Sequence, residues 1–92
     1  MSRVAIRRRH ALAHAEAHRR VSRAAVALAT RFGAACSWDG DVLRIEHPGV
    51  RGTVTVGVEE IQVDAELGLG LRLFRGRAER EIAQILDREL GA

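Results

Sequence analysis

Between Leu43 and Leu67 the apolar residues keep a period of two but change parity twice. They stand at odd positions in Leu43 and Ile45, at even positions in Val54 and Val56, and at odd positions again in Ile61, Val63, Ala65 and Leu67. Successive side chains of a strand point to opposite faces, and antiparallel neighbours joined by short even-length loops pair residues whose numbers sum to an odd value. Each change of parity therefore returns the apolar set to the same face. The pattern predicts an antiparallel meander with one buried face, and Cys36 and Trp38 join that face by the same rule. Turn chemistry agrees: Asp39-Gly40 is a hairpin signal, Pro48-Gly49 suits a tight turn, and the parity break places a third turn within Gly57–Glu60. The opposite face carries Arg44, Glu46, Thr53, Thr55, Gln62, Asp64 and Glu66 and is expected to be wet.

A one-sided sheet needs a cover, and the rest of the chain supplies it. Val4 and Ile6 alternate with Ala5 and Arg7, a short first strand. From about residue 12 to Phe32, Ala17, Val21, Ala24, Ala25, Leu28 and Phe32 recur at helical spacing, and Gly33 follows as a stop. A second helix is expected from about residue 72 to 90, with Phe74, Ala78, Ile82, Ile85, Leu86 and Leu90 on its apolar side. Two amphipathic helices and a one-sided sheet satisfy each other as two layers. The expected fold is α+β in the order β-α-β-β-β-β-α, a single domain over residues 1–92 with both helices on one face. Its expected core is Val21, Leu28, Phe32, Trp38, Leu43, Ile45, Val54, Val56, Ile61, Val63, Phe74, Ile82, Ile85 and Leu86.

Composition narrows the chemistry. All fifteen basic residues are Arg and Tyr is absent, so lysine Schiff bases and tyrosine acid/base chemistry are excluded. The net charge of +3 conceals a polarised chain: residues 1–31 hold eight Arg against Glu16 alone, whereas residues 32–70 hold seven acids against Arg44 and Arg51. Either the halves neutralise one another in the fold, or the Arg-rich segment meets an anionic partner. A single cysteine, Cys36, forms no internal disulfide and fits a reducing, cytoplasmic setting. The longest apolar run, Ala24–Ala29, falls far short of the roughly 20 residues that span a bilayer.

Four features invite chemistry, and a plainer reading stands beside each. His10, His14 and His18 are four apart, a spacing that brings helical neighbours within reach of one metal ion, but no third carboxylate or thiolate ligand is local. Asp39, Asp41 and Glu46 suggest a divalent cation site, but the loop between Trp38 and Val42 is too short to wrap one. Cys36 falls at an inward strand position with no adjacent His, which reads as a buried thiol rather than a nucleophile. Gly68-Leu69-Gly70 lacks the spacing of a phosphate loop. Neither a metal nor a cofactor is expected. The strongest binding feature is the basic set Arg7, Arg8, Arg9, His10, Arg19, Arg20 and Arg23, which could engage phosphates, although no aromatic stacking platform interleaves with it.

An ordered set of segments is similar to a known family. I-R-R-R-H-A-L at Ile6–Leu12, W-D-G-D at Trp38–Asp41, P-G-V-R-G-T-V-T-V at Pro48–Val56, L-G at Leu67-Gly68 and R-G-R-A-E-R-E-I at Arg75–Ile82 resemble the small bacterial polyhydroxyalkanoic acid system family over nearly the whole chain. Ala78 departs from the pattern, which favours a larger aliphatic residue there, and His14 and His18 lie outside it. The resemblance implies a cytoplasmic, non-enzymatic accessory protein of the polyhydroxyalkanoate storage system, partnered by the granule surface or a granule-associated protein. Val26, Ala15, Ala29 and Leu73 are the candidate exposed apolar positions. A homodimer through an open edge at the first or fifth strand is a further expectation. The alternative is an anion or nucleic-acid binding module built on the Arg cluster.

Overall fold

The computed structural model describes residues 2–90; the side chains of Ser2, Phe32, Leu69 and Arg72 lie outside that description, and the expected core position of Phe32 with them. The elements run β1 (Ser2–Arg9), α1 (His14–Phe32), β2 (Ala35–Asp39), β3 (Val42–His47), β4 (Val50–Val56), β5 (Glu60–Leu67), a 3-10 segment (Leu69–Phe74) and α2 (Arg75–Leu90). The strands form one antiparallel sheet in the order β1-β5-β4-β3-β2, so β1 and β2 are its edges. β5 is paired on both sides, contrary to its expected place at an edge. The reason is that β1, returning from the far end of the chain, adds itself alongside β5 instead of leaving it open.

The register turns the parity pattern into rows of side chains. One row on the helix-facing side runs Trp38, Leu43, Val54, Val63, Ile6; the next runs Cys36, Ile45, Gly52, Ala65, Val4. The core gathers Val4, Ile6, Leu43, Val54, Val56, Ile61, Val63, Ala65 and Leu67 from the sheet with Ala17, Val21, Ala25, Leu86 and Leu90 from the helices. Trp38, Ile45 and Ile82 are half-buried against it. The outer face is a lattice of alternating charge, with Glu46, Arg51, Glu66 and Arg3 directly opposite one another across four strands. Opposite charges across a strand pair stabilise it modestly, and this face stays solvated.

Gly33 ends α1 in the left-handed region (φ 71°), its N–H bonded to the Ala29 carbonyl. Both helices bury their apolar stripe over only part of their length: α1 buries Ala17, Val21 and Ala25, α2 only Leu86 and Leu90. Leu28 and Ile85, expected in the core, are half-buried. They line a space whose sheet side includes Gly52, which has no side chain, and Ala65, which has only a methyl group. Phe74 is 52% exposed and not core. Regular helix begins only at Arg75, and a residue twelve positions before Leu86 lies about 120° away from it on a helix of 3.6 residues per turn.

Candidate functional site

The histidines hold the fold. The Leu12 N–H donates to His10 Nδ1 at 3.2 Å, which places the ring proton on Nε2, and His10 Nε2 donates to the Gly57 carbonyl at 3.0 Å. His14 Nε2 is 3.1 Å from the Val56 carbonyl and 3.2 Å from Asp41 Oδ1, and His18 Nε2 is 3.3 Å from the Gly40 carbonyl. A carbonyl only accepts, so each ring donates. Residues four apart therefore stitch the loop before α1 and the start of that helix to the β2–β3 and β4–β5 turns. Among the described residues no group of three or more His, Cys, Asp or Glu side chains converges as metal ligands would.

The arginines are largely engaged with acids of this chain. Arg7, Arg8 and Arg9 lie on β1, where alternation sends Arg7 and Arg9 to the outer face and Arg8 to the helix side. Arg8 Nε meets Asp87 at 3.2 Å and Arg9 meets Glu59 at 3.6 Å; no ion pair of Arg7 is formed among the described residues. Arg19 and Arg20 both pair with Glu16, and the Arg20 bond holds that carboxyl below the usual carboxylate range. Arg20 Nη1 also donates to the Glu89 carbonyl at 2.8 Å, satisfying a backbone acceptor at the end of α2, and Arg23 forks onto the Glu89 carboxylate at 3.1–3.3 Å. The acids that neutralise the N-terminal arginines thus come from β5, α2 and the β4–β5 turn as well as from α1.

Cys36 and Trp38 serve packing. The Trp38 indole N–H donates to Ser22 Oγ at 2.9 Å, and its ring stacks on His18 with centroids 3.6 Å apart. Burial pushes the Cys36 thiol pKa up, opposite to the direction that activates a nucleophile.

Two surfaces remain that the packing does not explain. The first is a cavity of about 200 Å³ between the helix pair and the sheet. Gly52 and Ala65 lie on its sheet side with Leu43, Ile45, Val54 and Val63, Ala24 and Ala25 are among its α1 residues, and Ile82 and Leu86 among those of α2. It is apolar almost throughout. At Ala24, Leu28, Ile85 and Glu89 it adjoins an outer groove of about 230 Å³ between α1 and α2, which is rimmed by Arg23, Arg31 and Arg88. Cys36, Trp38, His10 and His47 do not line it.

The second surface is the corner before α2. The Gly68 N–H donates to the Gly49 carbonyl and the Leu71 N–H to the Gly68 carbonyl, both at 2.9 Å. Leu71 lies over Gly49, whose φ of 83° falls in the left-handed region that favours glycine. With the corner pinned through Leu71, Leu73 and Phe74 point outward, 88% and 52% exposed, beside the exposed Arg75 and Arg77. Of the other expected apolar positions, Val26 is 63% exposed, Ala15 exposed and Ala29 half-buried. Sequence periodicity assigned Phe74 to the core; the Gly68-Leu69-Gly70 break before it was the available warning that the helix starts late.

No helix among the described residues is long and apolar enough to cross a membrane. The fold is similar to the NMR structure of PA4090 from Pseudomonas aeruginosa, with a TM-score of 0.64 and 13% sequence identity over 100% of this chain and 88% of that one. None of the curated proteins matches the sequence. Residues 4–90 match a family model described as "Putative polyhydroxyalkanoic acid system protein". The chain belongs to the polyhydroxyalkanoic acid system protein family.

Proposed function

We propose that this chain is a non-enzymatic accessory protein of the polyhydroxyalkanoate system that docks on storage granules, through the polymer surface or a protein bound to it. The observation that carries the reading is the Leu73–Phe74 pair, two adjacent large apolar side chains held outward by an anchored corner and flanked by Arg75 and Arg77. Single exposed apolar residues are ordinary, but a leucine next to an aromatic ring at a rigid corner is the chemistry of an apolar contact. The neighbouring guanidinium groups stay in water while the pair inserts. The family membership supports a polyhydroxyalkanoate-system context for this reading. The engagement of Arg8, Arg9, Arg19, Arg20 and Arg23 by acids of the same chain leaves little support for the nucleic-acid reading.

The test is fractionation from polymer-accumulating cells, with native granules, protease-stripped granules and bare polymer particles as separate arms. The native chain pellets with granules, and the Leu73→Ser/Phe74→Ser double variant stays in the supernatant. Because both side chains are exposed, the variant keeps its stability within roughly 0.5 kcal/mol per substitution. Retention on stripped granules identifies the polymer as the partner; loss there identifies a protein. Absence of the native chain from granules and from every granule-bound protein overturns the reading.

A further inference from the structure

The strand order leaves β1 and β2 as the two edges of the sheet, and the sequence guards only one of them. An edge strand offers its free N–H and C=O groups to any second strand, and charged side chains are a common guard against that. β1 carries Arg3, Arg7, Arg8 and Arg9. Paired antiparallel with a second β1 about Ala5, Ile6, Arg7 or Arg8, with both helix layers on one side, it would set arginine opposite arginine, which is destabilising. β2, Ala35–Asp39, has no proline or basic residue, and its one charge, Asp39, is held by Arg44 at 3.4 Å. We propose that β2 is the interface through which two copies of this chain form a symmetric dimer, joining their five-stranded sheets into one.

The backbone suits a two-fold axis at Ser37. The two-residue loop Gly40-Asp41 makes Asp39 and Val42 the hydrogen-bonded closing pair of the β2–β3 hairpin. Alternation along the ladder then commits the backbone groups of Asp39, Ser37 and Ala35 to β3 and turns those of Trp38 and Cys36 to the open edge. An axis at Ser37 sets Cys36 opposite the partner's Trp38, so outward-pointing groups meet one another. Ala35 faces the partner's Asp39, and no like charges are opposed.

The helix above β2 is shaped for the same axis. The Trp38 indole N–H bonds Ser22 Oγ, the Trp38 ring stacks on His18, and Cys36 Sγ lies 3.8 Å from the Ala25 carbonyl. The flank of α1 that overlooks β2 therefore carries His18 and Ser22, and at 3.6 residues per turn Val26 and Ala29 continue it. Arg20 and Arg23 turn the other way, to Glu89 on α2. Val26 is 63% exposed on this flank, and Cys36 and Trp38 stay half-buried although they face the helices, because no further strand flanks them. Since Cys36 and Trp38 lie under Ala25 and Ser22, symmetry about Ser37 brings the Ser22–Val26 stretches of the two helices side by side. Five strand residues fall short of the roughly 800 Å² per partner that a stable interface buries, and the α1 flank supplies a second strip of contact. Leu73 and Phe74 belong to neither element, so the dimer stands independently of the granule reading.

The experiment is sedimentation equilibrium of the full chain from roughly 1 μM to 1 mM, the range in which weak and ordinary complexes dissociate. The native chain is dimeric at the upper end. Ser37→Arg, at an exposed position, opposes two guanidinium groups at the axis and weakens the dimer by about tenfold or more. Ser37→Glu does the same, and an equimolar mixture of the two variants restores the dimer, which misfolded chains do not. Val26→Arg changes an exposed helix position, keeps the monomer folded and also weakens association. Ser37→Cys in a Cys36→Ser background gives a disulfide-linked dimer on mild oxidation, because a non-hydrogen-bonded antiparallel pair stands about 4.5 Å apart at Cα, within disulfide range. Leu73→Ser/Phe74→Ser leaves the mass unchanged, so the two proposals fail separately. A native chain that stays monomeric over the whole range overturns the proposal and leaves β2 to a strand of a different protein. A dimer that persists with both Ser37→Arg and Val26→Arg, or mixed Ser37 variants that do not pair, likewise refutes it.

Discussion

Replacing Ala65 by Ile tests whether the space above the floor of the cleft is empty and rigid enough to be filled. Ala65 is 8% exposed on the core face of β5, opposite Gly52, and its Cβ faces the cavity of about 200 Å³. Ile adds three carbons, each worth about 0.8 kcal/mol when buried, and loses about 0.5–1 kcal/mol of side-chain freedom. The net gain is about 1.5 kcal/mol, reinforced by the preference of strands for β-branched residues. For a domain of this size that corresponds to a rise in Tm of roughly 6–12 °C. Thermal and urea unfolding followed by circular dichroism measure it. Leu43→Ala, which truncates a large side chain 1% exposed in the neighbouring row, is the internal contrast and costs about 2–5 kcal/mol. A loss of more than about 1 kcal/mol for Ala65→Ile is the signature of overpacking. That outcome would mean that the helices close onto the floor in solution and that no cavity exists there.

Further outcomes follow from individual contacts. Ser22→Ala leaves the half-buried Trp38 indole N–H without its acceptor and costs about 1 kcal/mol, with a change in the emission of the sole tryptophan. Burial raises the Cys36 pKa above its unfolded value, so the contribution of the neutral thiol to stability is intact below the ordinary thiol pKa and is lost as pH rises through the folded value. Native protein accordingly reacts with a disulfide reagent far more slowly than urea-unfolded protein, and equal rates would contradict the burial. Amide exchange is slower over Ala17–Ala25 and Leu86–Leu90 than over Val26–Thr30 and Gly76–Arg80, because the buried positions lie in the first set; uniform protection would show that the helices are held along their whole length.

The meander was legible because a period of two with one buried face leaves few registers: Trp38, Leu43, Val54 and Val63 share a row as their parity requires. Parity fixes a face, however, and not a position along the strand. That Gly52 meets Ala65 depends on the lengths of the turns, and the cavity depends on that meeting. The basic cluster was legible as a run but not in its partners. Three consecutive arginines on a strand cannot share a face, and Asp87, the partner of Arg8, stands 79 residues away. The histidines were legible as a stripe and illegible in role, since their acceptors are backbone carbonyls of turns 22 to 47 residues further on. Phe74 was misplaced because positions four apart drift around a helix by about 40° each step and because the helix starts after it.

Those long-range contacts explain why both candidate surfaces lie where they do. The three histidines fasten the loop before α1 and the start of that helix to the β2–β3 and β4–β5 turns, and Arg20 and Arg23 fasten α1 to the last turn of α2. The ties borne by the helices fall between His14 and Arg23 on α1 and at Glu89 on α2. Beside these ties the helices lie over a glycine and an alanine and Leu28 and Ile85 stay half-buried, while the chain enters α2 through the Leu73–Phe74 corner. Small residues at Gly52, Ala65, Ala24 and Ala25 keep the space between the layers open, and the Arg23–Glu89 pair at its mouth holds the two helices together. Ligand-binding surfaces are drawn from the less stable parts of a fold, which must open or yield to receive a partner. The Leu73–Phe74 corner at the start of α2, beyond these ties, is such a part, whereas the cleft lies beside the Arg23–Glu89 tie.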